Sequence, residues 1–256
     1  MKYDRICLMV PTYKRVANGK LPRFVESAIA HASSTQRVCF CFCVNVRDTE
    51  TIAYVNRLKA DGRVAVDMVM EKLRQPNLSY YFNKIYDETV FNSPSTVVSM
   101  VGDDMIFESL DWDIAILQEI NVHKGVGIVW CNDAYIAHEN LCVNLFTTRH
   151  FVDATEKPFM CPLFTADMMD VVWMITAKET CTGHYLPEVI IRHDHGTAVT
   201  EDKWDENFCR LSPLRTLNSG ARQQKKAAVY ANIMAANLVK SGVATWSDNY
   251  SGYGVK

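Results

Sequence analysis

Residues 97–107 of this chain read Val97-Val98-Ser99-Met100-Val101-Gly102-Asp103-Asp104-Met105-Ile106-Phe107. The apolar block before Gly102 predicts a buried strand, which ends at a turn that contains two adjacent carboxylates. Open α/β sheets bind their ligands at the carboxyl ends of such strands. Because adjacent carboxylates repel each other, we expect a cation, a proton or bulk water beside Asp103 and Asp104. A divalent ion that carries a phosphate meets this need, and a solvated Asp-Asp turn is the alternative.

The predicted strand at 97–101 is the fourth in a regular series. Strand-like segments cover 5–11, 37–46, 64–70 and 97–101, and helix-like segments cover 21–32, 50–60 and 79–88. This alternation predicts βαβ units, and therefore an α/β fold with a mostly parallel central sheet flanked by helices. The second half is less regular, with strands expected over 126–131, 144–151 and 185–193 and helices over 112–120, 166–178 and 222–240.

The composition is that of a soluble globular protein. The 256 residues are 48% hydrophobic and 22% charged, and the formal net charge of -2 gives no general attraction to nucleic acid or anionic membranes. The apolar run at 6–10 is too short for a signal peptide, and no apolar stretch is long enough for a transmembrane helix, so we expect a cytoplasmic protein. The nine cysteines include no Cys-x-x-Cys pair, which favours buried free thiols over a zinc knuckle.

Two more polar segments follow predicted strands and are therefore expected at the same edge of the sheet. The first, Pro11-Thr12-Tyr13-Lys14-Arg15, brings main-chain N–H groups, a hydroxyl and a guanidinium that can hold a nucleotide base and phosphate. An ordinary strand exit is the alternative. The second is Asp48, whose carboxylate either accepts hydrogen bonds from a base or ribose or caps the helix that follows.

Two segments in the second half are candidates for metal binding and proton transfer. His193 and His195 end the late predicted strand, and neutral imidazole is a common metal ligand; surface histidines in a turn are the alternative. Asp167 lies at the start of a predicted helix, where it can act as a general base or as an N-cap. Asp170, one turn further along, is the second candidate for the base.

In this order, the segments resemble the GT-A glycosyltransferases, especially the small family 2-like enzymes of bacteria and their viruses. The resemblance covers about residues 5–210 and rests on Pro11–Arg15, Asp48, Tyr81-Phe82-Asn83-Lys84, Gly102-Asp103-Asp104, Asp111-Trp112-Asp113, Asp167 and His193–His195. It implies a single GT-A (Rossmann-like) domain over 1–210, with a nucleotide-binding half at 1–107 and an acceptor-side half at 108–210. A C-terminal helix and tail are expected over 211–256.

The resemblance implies transfer of a sugar from a nucleotide-diphosphate sugar to an acceptor hydroxyl. Asp104, with His193 or His195, would hold Mn²⁺ or Mg²⁺ and so neutralise the leaving diphosphate. Asp103 would contact the ribose or a metal-bound water, and Asp167 would deprotonate the acceptor if the enzyme inverts; a retaining enzyme would leave Asp167 another role. The residues implied in nucleotide binding are Pro11, Thr12, Tyr13, Arg15, Asp48, Asn83, Lys84 and Asp103.

The sequence departs from the family pattern at two places. Met105 stands where many relatives have a third acidic residue, which leaves open which aspartate binds the metal, although Asp104 is favoured. Asp48-Thr49-Glu50 stands where the family has Gly-Ser, which leaves the choice between a UDP-sugar and a GDP-sugar open.

The acceptor and two rival functions also stay open. The acceptor could be a glycan, a lipid-linked sugar, a protein or modified DNA, and a viral enzyme would act in the host cytoplasm. One rival is a non-catalytic nucleotide-sugar-binding module that kept the fold. The other is a nucleotidyltransferase, although its phosphate loop is normally Gly-rich and basic, unlike Pro11–Arg15.

Overall fold

The first half of the chain forms the predicted alternation of strands and helices. A computed structural model describes residues 3–72, 77–91, 93, 95–135, 137–165, 168–194 and 221–248. Its first elements are β1 (Arg5–Thr12), α1 (Lys20–His31), β2 (Val38–Asn45), α2 (Thr49–Asp61), β3 (Ala65–Glu71), α3 (Leu78–Glu88) and β4 (Thr96–Met100). Each agrees with the predicted segment to within about two residues, the usual uncertainty of element ends.

The second half adds four strands and four helices among the described residues. They are β5 (Met105–Phe107), α4 (Trp112–Val122), β6 (Ile128–Asn132), β7 (Leu145–Thr148), α5 (Arg149–Ala154), α6 (Met169–Glu179), β8 (Gly183–His193) and α7 (Ala221–Lys240). Two short 3₁₀ turns lie at Thr35–Arg37 and His138–Asn140.

Two details of the second half differ from the prediction. The strand expected over 144–151 ends at Thr148, whose hydroxyl accepts a hydrogen bond from the Phe151 N–H and so starts α5. Strand β5 was not expected, because three residues are too few to show a period.

The sheet has the strand order β3-β2-β1-β4-β7-β6-β8-β5. Strands β1 to β4 pair in parallel, as do β6 and β8, whereas β7 runs antiparallel to β4 and β6 and β5 runs antiparallel to β8. Two reversals through β7 make β6 and β8 parallel to β4. The carboxyl ends of β1, β2, β3, β4, β6 and β8 therefore meet at one edge of the sheet.

Both faces of the sheet are buried, as the apolar character of β1 and β2 predicts. On one face Ile6, Leu8 and Val10 pack with residues of α1, α2 and α4. On the other face Cys7 and Met9 pack with residues of α3, α5, α6 and α7. This two-sided burial is typical of parallel strands that helices cover on both sides.

The cysteine stripe of β2 lies in the second of these faces. Cys39, Cys41 and Cys43 are buried free thiols, as the sequence predicts. Burial raises the pKa of Cys43 to about 12 and that of Cys41 further still, so both stay protonated at neutral pH. They pack as small apolar side chains.

Helix α7 closes the second layer against α6. Its buried apolar side chains lie at helical spacing and are Ala227, Ala231, Met234, Ala235 and Leu238. The hydroxyl of Thr176 in α6 lies 3.4 Å from the carbonyl oxygen of Ala231, which indicates a close helix–helix approach. Within the described ranges, no helix is long and apolar enough to span a bilayer.

Candidate active site

The two carboxylates lie in the tight turn that joins β4 to β5. Asp103 is buried and Asp104 is partly exposed, and the Met105 N–H closes the turn on the Gly102 carbonyl at 3.3 Å. Strand β5 then pairs with the end of β8, so that Met105 lies opposite His193. This pairing brings Nε2 of His193 to 3.5 Å from Oδ1 of Asp104.

A buried arginine from the loop after β1 lies beside both carboxylates. Its Nε is 3.5 Å from Oδ1 of Asp103, and its Nη2 is 4.0 Å from Oδ2 of Asp104. The carbonyl of this residue, Arg15, accepts a hydrogen bond of 3.0 Å from Leu21 in the first turn of α1, which fixes the loop. The guanidinium of Arg15 thus provides part of the positive charge that the two carboxylates require.

The local charges keep Asp104 ionised. Burial alone would raise the pKa of its carboxyl, but the hydrogen bond and charge of His193 and the charges of Arg15 and Lys20 outweigh burial and hold that pKa well below its usual range. Asp104 therefore presents a carboxylate at neutral pH, the form that binds a metal ion.

The end of β8 is fastened to this turn by backbone and side-chain contacts. The Asp194 N–H donates to the carbonyl of Asp104 at 2.9 Å, and the His193 N–H donates to the carbonyl of Asp133 at 3.0 Å. The Asp194 carboxylate forms an ion pair with Arg23 of α1. These contacts fix the backbone of His193 beside the acidic pair, so its imidazole nitrogens are not needed to hold it there.

The loop after β1 is anchored by the aspartate that follows β2. The carboxylate of Asp48 accepts hydrogen bonds from the Lys14 N–H at 2.5 Å, the Thr51 N–H at 3.2 Å and the Thr51 hydroxyl at 2.7 Å. Asp48 is thus the N-cap of α2, and it also links α2 to the loop that carries Arg15. A carboxylate has about four acceptor positions, and the described residues fill three of them.

Thr12 and Tyr13 complete this edge of the sheet. The buried hydroxyl of Thr12 has no hydrogen-bond partner within the part of the chain that the structure describes. Tyr13 is half-buried, and the Lys14 ammonium lies 5.4 Å from its ring centroid. A buried orphan hydroxyl costs free energy, so it is a natural contact point for a bound polar group.

Comparison with known proteins decides the fold. No protein-family model and no curated protein matches the sequence. The mannosyltransferase PcManGT from Pyrobaculum calidifontis, in complex with GDP-Man and Mn²⁺, superimposes with a TM-score of 0.56 at 13% identity over 95% of this chain and 76% of that one. This chain has the GT-A fold.

A second structure supports the same fold. TarS 1–349 of S. aureus superimposes with a TM-score of 0.58 at 7% identity, over 93% of this chain and 73% of that one. Its complex with UDP-GlcNAc gives a TM-score of 0.55 at 8% identity, over 91% of this chain and 73% of that one. The expected α/β architecture, with helices on both sides and a C-terminal helix, is confirmed.

Within this GT-A fold, Asp104 and His193 fit a divalent metal ion. A carboxylate oxygen and an imidazole nitrogen 3.5 Å apart can both lie about 2.1 Å from one ion. Both side chains are about one-fifth exposed, which leaves room for further ligands. Carboxylate suits Mn²⁺ and Mg²⁺, whereas imidazole favours the transition metal, so the pair fits Mn²⁺ better.

Asn83 and Lys84 of α3 make their contacts elsewhere. The Asn83 amide exchanges two hydrogen bonds with the backbone of Met160, at 2.9 and 2.7 Å. The Lys84 ammonium pairs with Glu88 at 2.6 Å, one turn along the same helix. Asn83 thus fastens α3 to the segment before α6, and neither contact includes the acidic pair.

The predicted general bases are placed only in part. Asp167 lies outside the described residues, as does His195, which was predicted as a metal ligand. Asp170 lies in the first turn of α6, where its Oδ1 accepts a hydrogen bond of 2.8 Å from the Val171 N–H. The N-cap position of α6 is occupied by Met168, with φ 75°, and not by Asp167.

Three supporting residues were not predicted from the sequence. Asp133 is buried at the end of β6 and accepts hydrogen bonds from the Ala137 and His138 N–H groups at 3.2 and 2.9 Å. Arg23 and Asp194 form the ion pair between α1 and β8. Asp133 could have been found, because it too follows a predicted strand, whereas the partner of Arg23 depends on the strand order.

Proposed function

We propose that this protein is a glycosyltransferase that moves a sugar from a nucleotide-diphosphate sugar to an acceptor hydroxyl. The observation that carries the proposal is the cluster of Arg15, Asp104 and His193 at the carboxyl edge of a GT-A sheet. This edge is where α/β sheets bind nucleotides. PcManGT, with the same fold, binds GDP-Man and Mn²⁺.

Asp104 and His193 would hold Mn²⁺ or Mg²⁺, with His195 as a further candidate ligand. When bound, the ion supplies positive charge to the leaving diphosphate. Arg15 lies beside Asp104 and adds a fixed guanidinium, which suits a phosphate oxygen. Asp103 keeps that guanidinium in place and is also proposed to contact the ribose or a metal-bound water.

The nucleotide would lie on the loop after β1. Thr12 offers its buried hydroxyl, Tyr13 a ring face and Asp48 its remaining acceptor position. Pro11 positions the loop, because it is paired with Cys43 at the end of the parallel ladder. A role of Asn83 and Lys84 in nucleotide binding stays a prediction, which a structure with bound nucleotide would test.

The proton acceptor and the acceptor substrate are also proposals. If the reaction inverts, Asp167 deprotonates the acceptor hydroxyl, with Asp170 as the second candidate. A UDP-sugar and a GDP-sugar are both candidate donors. The acceptor is a glycan, a lipid-linked sugar, a protein or modified DNA.

Calorimetry with UDP- and GDP-sugars, in the presence and absence of Mn²⁺, tests the proposal. Wild-type protein should bind one class of nucleotide sugar in a Mn²⁺-dependent way, and Asp104→Ala should lose that dependence because it removes the ionised ligand. Asp61→Asn is a matched control, since Asp61 is an exposed carboxylate paired with Arg63. Equal Mn²⁺-dependent binding by wild type and Asp104→Ala would contradict the proposal.

Hydrolysis of the nucleotide sugar without an acceptor separates an enzyme from a binding module. We expect slow, Mn²⁺-dependent release of the nucleoside diphosphate by the wild type and none by Asp104→Ala. Binding without any release, with or without candidate acceptors, would identify the protein as a non-catalytic nucleotide-sugar-binding module.

A further inference from the structure

A second group of potential metal ligands lies at the opposite edge of the sheet. It consists of Glu119 and His123, at the end of α4, and His184, at the start of β8. His193 lies at the other end of β8, at the carboxyl edge of the sheet. This cluster is therefore separate from the candidate active site.

The three side chains face one another at ligand spacing. Nε2 of His123 is 3.1 Å and Nδ1 of His184 is 3.9 Å from the same oxygen, Oε1 of Glu119. One ligand atom from each residue lies within 4.8 Å of the other two. Ligands of a tetrahedral ion with bonds of about 2.0–2.1 Å lie about 3.3 Å apart. The two imidazole rings stack with an interplanar angle of 15°, so both would have to rotate about Cβ–Cγ, out of this stack, to direct their nitrogens at one ion.

The local sequence explains why the three groups meet. Glu119 and His123 are four residues apart and so project from the same side of α4. His184 is fixed by its parallel pairing opposite Val129. Its ring lies against Gly127, which has φ 112°; a Cβ there would lie 3.1 Å from Nε2 of His184 and 2.3 Å from the Thr182 carbonyl oxygen.

The two imidazoles lie side by side next to the carboxylate. The rings of His123 and His184 stack with centroids 3.5 Å apart, and a nitrogen of each ring lies within 4 Å of Oε1 of Glu119. Burial and the charge of His123 lower the pKa of His184. Because the three side chains are between 16% and 36% exposed, water can reach a fourth position.

We propose that Glu119, His123 and His184 bind a divalent transition metal ion of the zinc class, with water as the fourth ligand. Two imidazoles and a carboxylate form a donor set that suits Zn²⁺. The ion fastens the end of α4 to the start of β8. Nothing in this site requires a nucleotide sugar, so it stands apart from the proposed function.

Titration of chelator-treated protein with Zn²⁺, without nucleotide, tests this site by calorimetry and thermal unfolding. Loss of an outer-shell partner typically weakens metal binding 10–100-fold, so loss of a ligand in His123→Gln or Glu119→Gln should weaken it at least about 100-fold. The rise in melting temperature on adding Zn²⁺ should disappear in the same variants. His123 is partly exposed, so its variant should fold.

Three controls exclude other sites. Asp104→Ala removes the candidate active-site metal, Cys181→Ser removes an exposed thiol, and His138→Gln removes an exposed imidazole. All three should keep the high-affinity site, and Co²⁺ bound there should give a visible spectrum without thiolate charge transfer. Unchanged Zn²⁺ affinity in His123→Gln and Glu119→Gln, or loss of affinity in a control instead, would overturn the proposal.

Discussion

Arg15 is the residue on which the charge balance of the candidate active site depends. Its guanidinium is nine-tenths buried and lies beside Asp103, which is buried to the same degree. Removing one partner of a buried ion pair leaves the other charge uncompensated, at a cost of about 3–5 kcal/mol. We therefore predict that Arg15→Leu lowers the free energy of unfolding by about 3 kcal/mol, measured with urea at neutral pH.

Arg63 provides the matched control for this prediction. It also pairs with two carboxylates, Glu26 and Asp61, but its side chain is about half exposed. Exposed pairs contribute less than about 1 kcal/mol, so Arg63→Leu should have a small effect. Equal losses in the two variants would show that Arg15 does not compensate a buried charge.

Residues at strand ends were predictable from the sequence, whereas residues inside helices were not. Arg15 and Asp104 each follow a strand and His193 ends one, and these carboxyl ends lie at the same edge, so the topology brings the three residues together. Asp48 was left open between a ligand contact and a helix cap, and the structure shows the cap. The partner of Asn83 lies 77 residues away, where no local pattern could indicate it.

At the level of elements, the shortest strand has the largest consequence for the site. Strand β5 has three residues, and its pairing with Ile191–His193 is what places the His193 ring beside Asp104. The apolar residues of β5 were visible in the sequence, but pairing over such a distance is set by tertiary structure. The end of β7 was missed because the hydroxyl of Thr148 starts a helix inside the segment 144–151, which was predicted as one strand.

The contact between α6 and α7 gives a prediction at the same level. Ala231 is fully buried in the helix whose backbone approaches Thr176, so a larger side chain there would have to displace its neighbours. Overpacking typically costs about 1–3 kcal/mol, so Ala231→Leu should lower the free energy of unfolding by that amount. Val229→Leu, at an exposed position of the same helix, should change it by less than about 0.5 kcal/mol.

Equal changes in the free energy of unfolding of Ala231→Leu and Val229→Leu, measured with urea, would contradict this packing. It would mean that α7 does not cover α6 closely. The helix predicted over 222–240 buries Ala227, Ala231, Met234 and Leu238, whereas its Tyr230 is only half-buried. The sequence could not reveal which helix they contact.

On the scale of the whole molecule, the candidate active site belongs to both halves of one sheet. Arg15 and Asp104 come from the first half, and His193 comes from β8 in the second. Strand β7 joins the halves by pairing with both β4 and β6. The site therefore forms only when the sheet is complete. The expected division into a nucleotide-binding half at 1–107, an acceptor-side half at 108–210 and a C-terminal segment stays a prediction.

Because the site joins both halves, a ligand bound there should stabilise the whole fold. A ligand at 100 times its Kd stabilises the native state by about 2.7 kcal/mol. For a chain of this size, each kcal/mol raises Tm by about 2–4 °C, so we predict a rise of roughly 5–10 °C with the correct nucleotide sugar and Mn²⁺. A thermal-unfolding screen of UDP- and GDP-sugars measures this rise. Mn²⁺ alone and nucleotide sugar alone should each give a smaller shift, and Asp104→Ala should abolish the difference; no shift with any nucleotide sugar would refute binding at this edge.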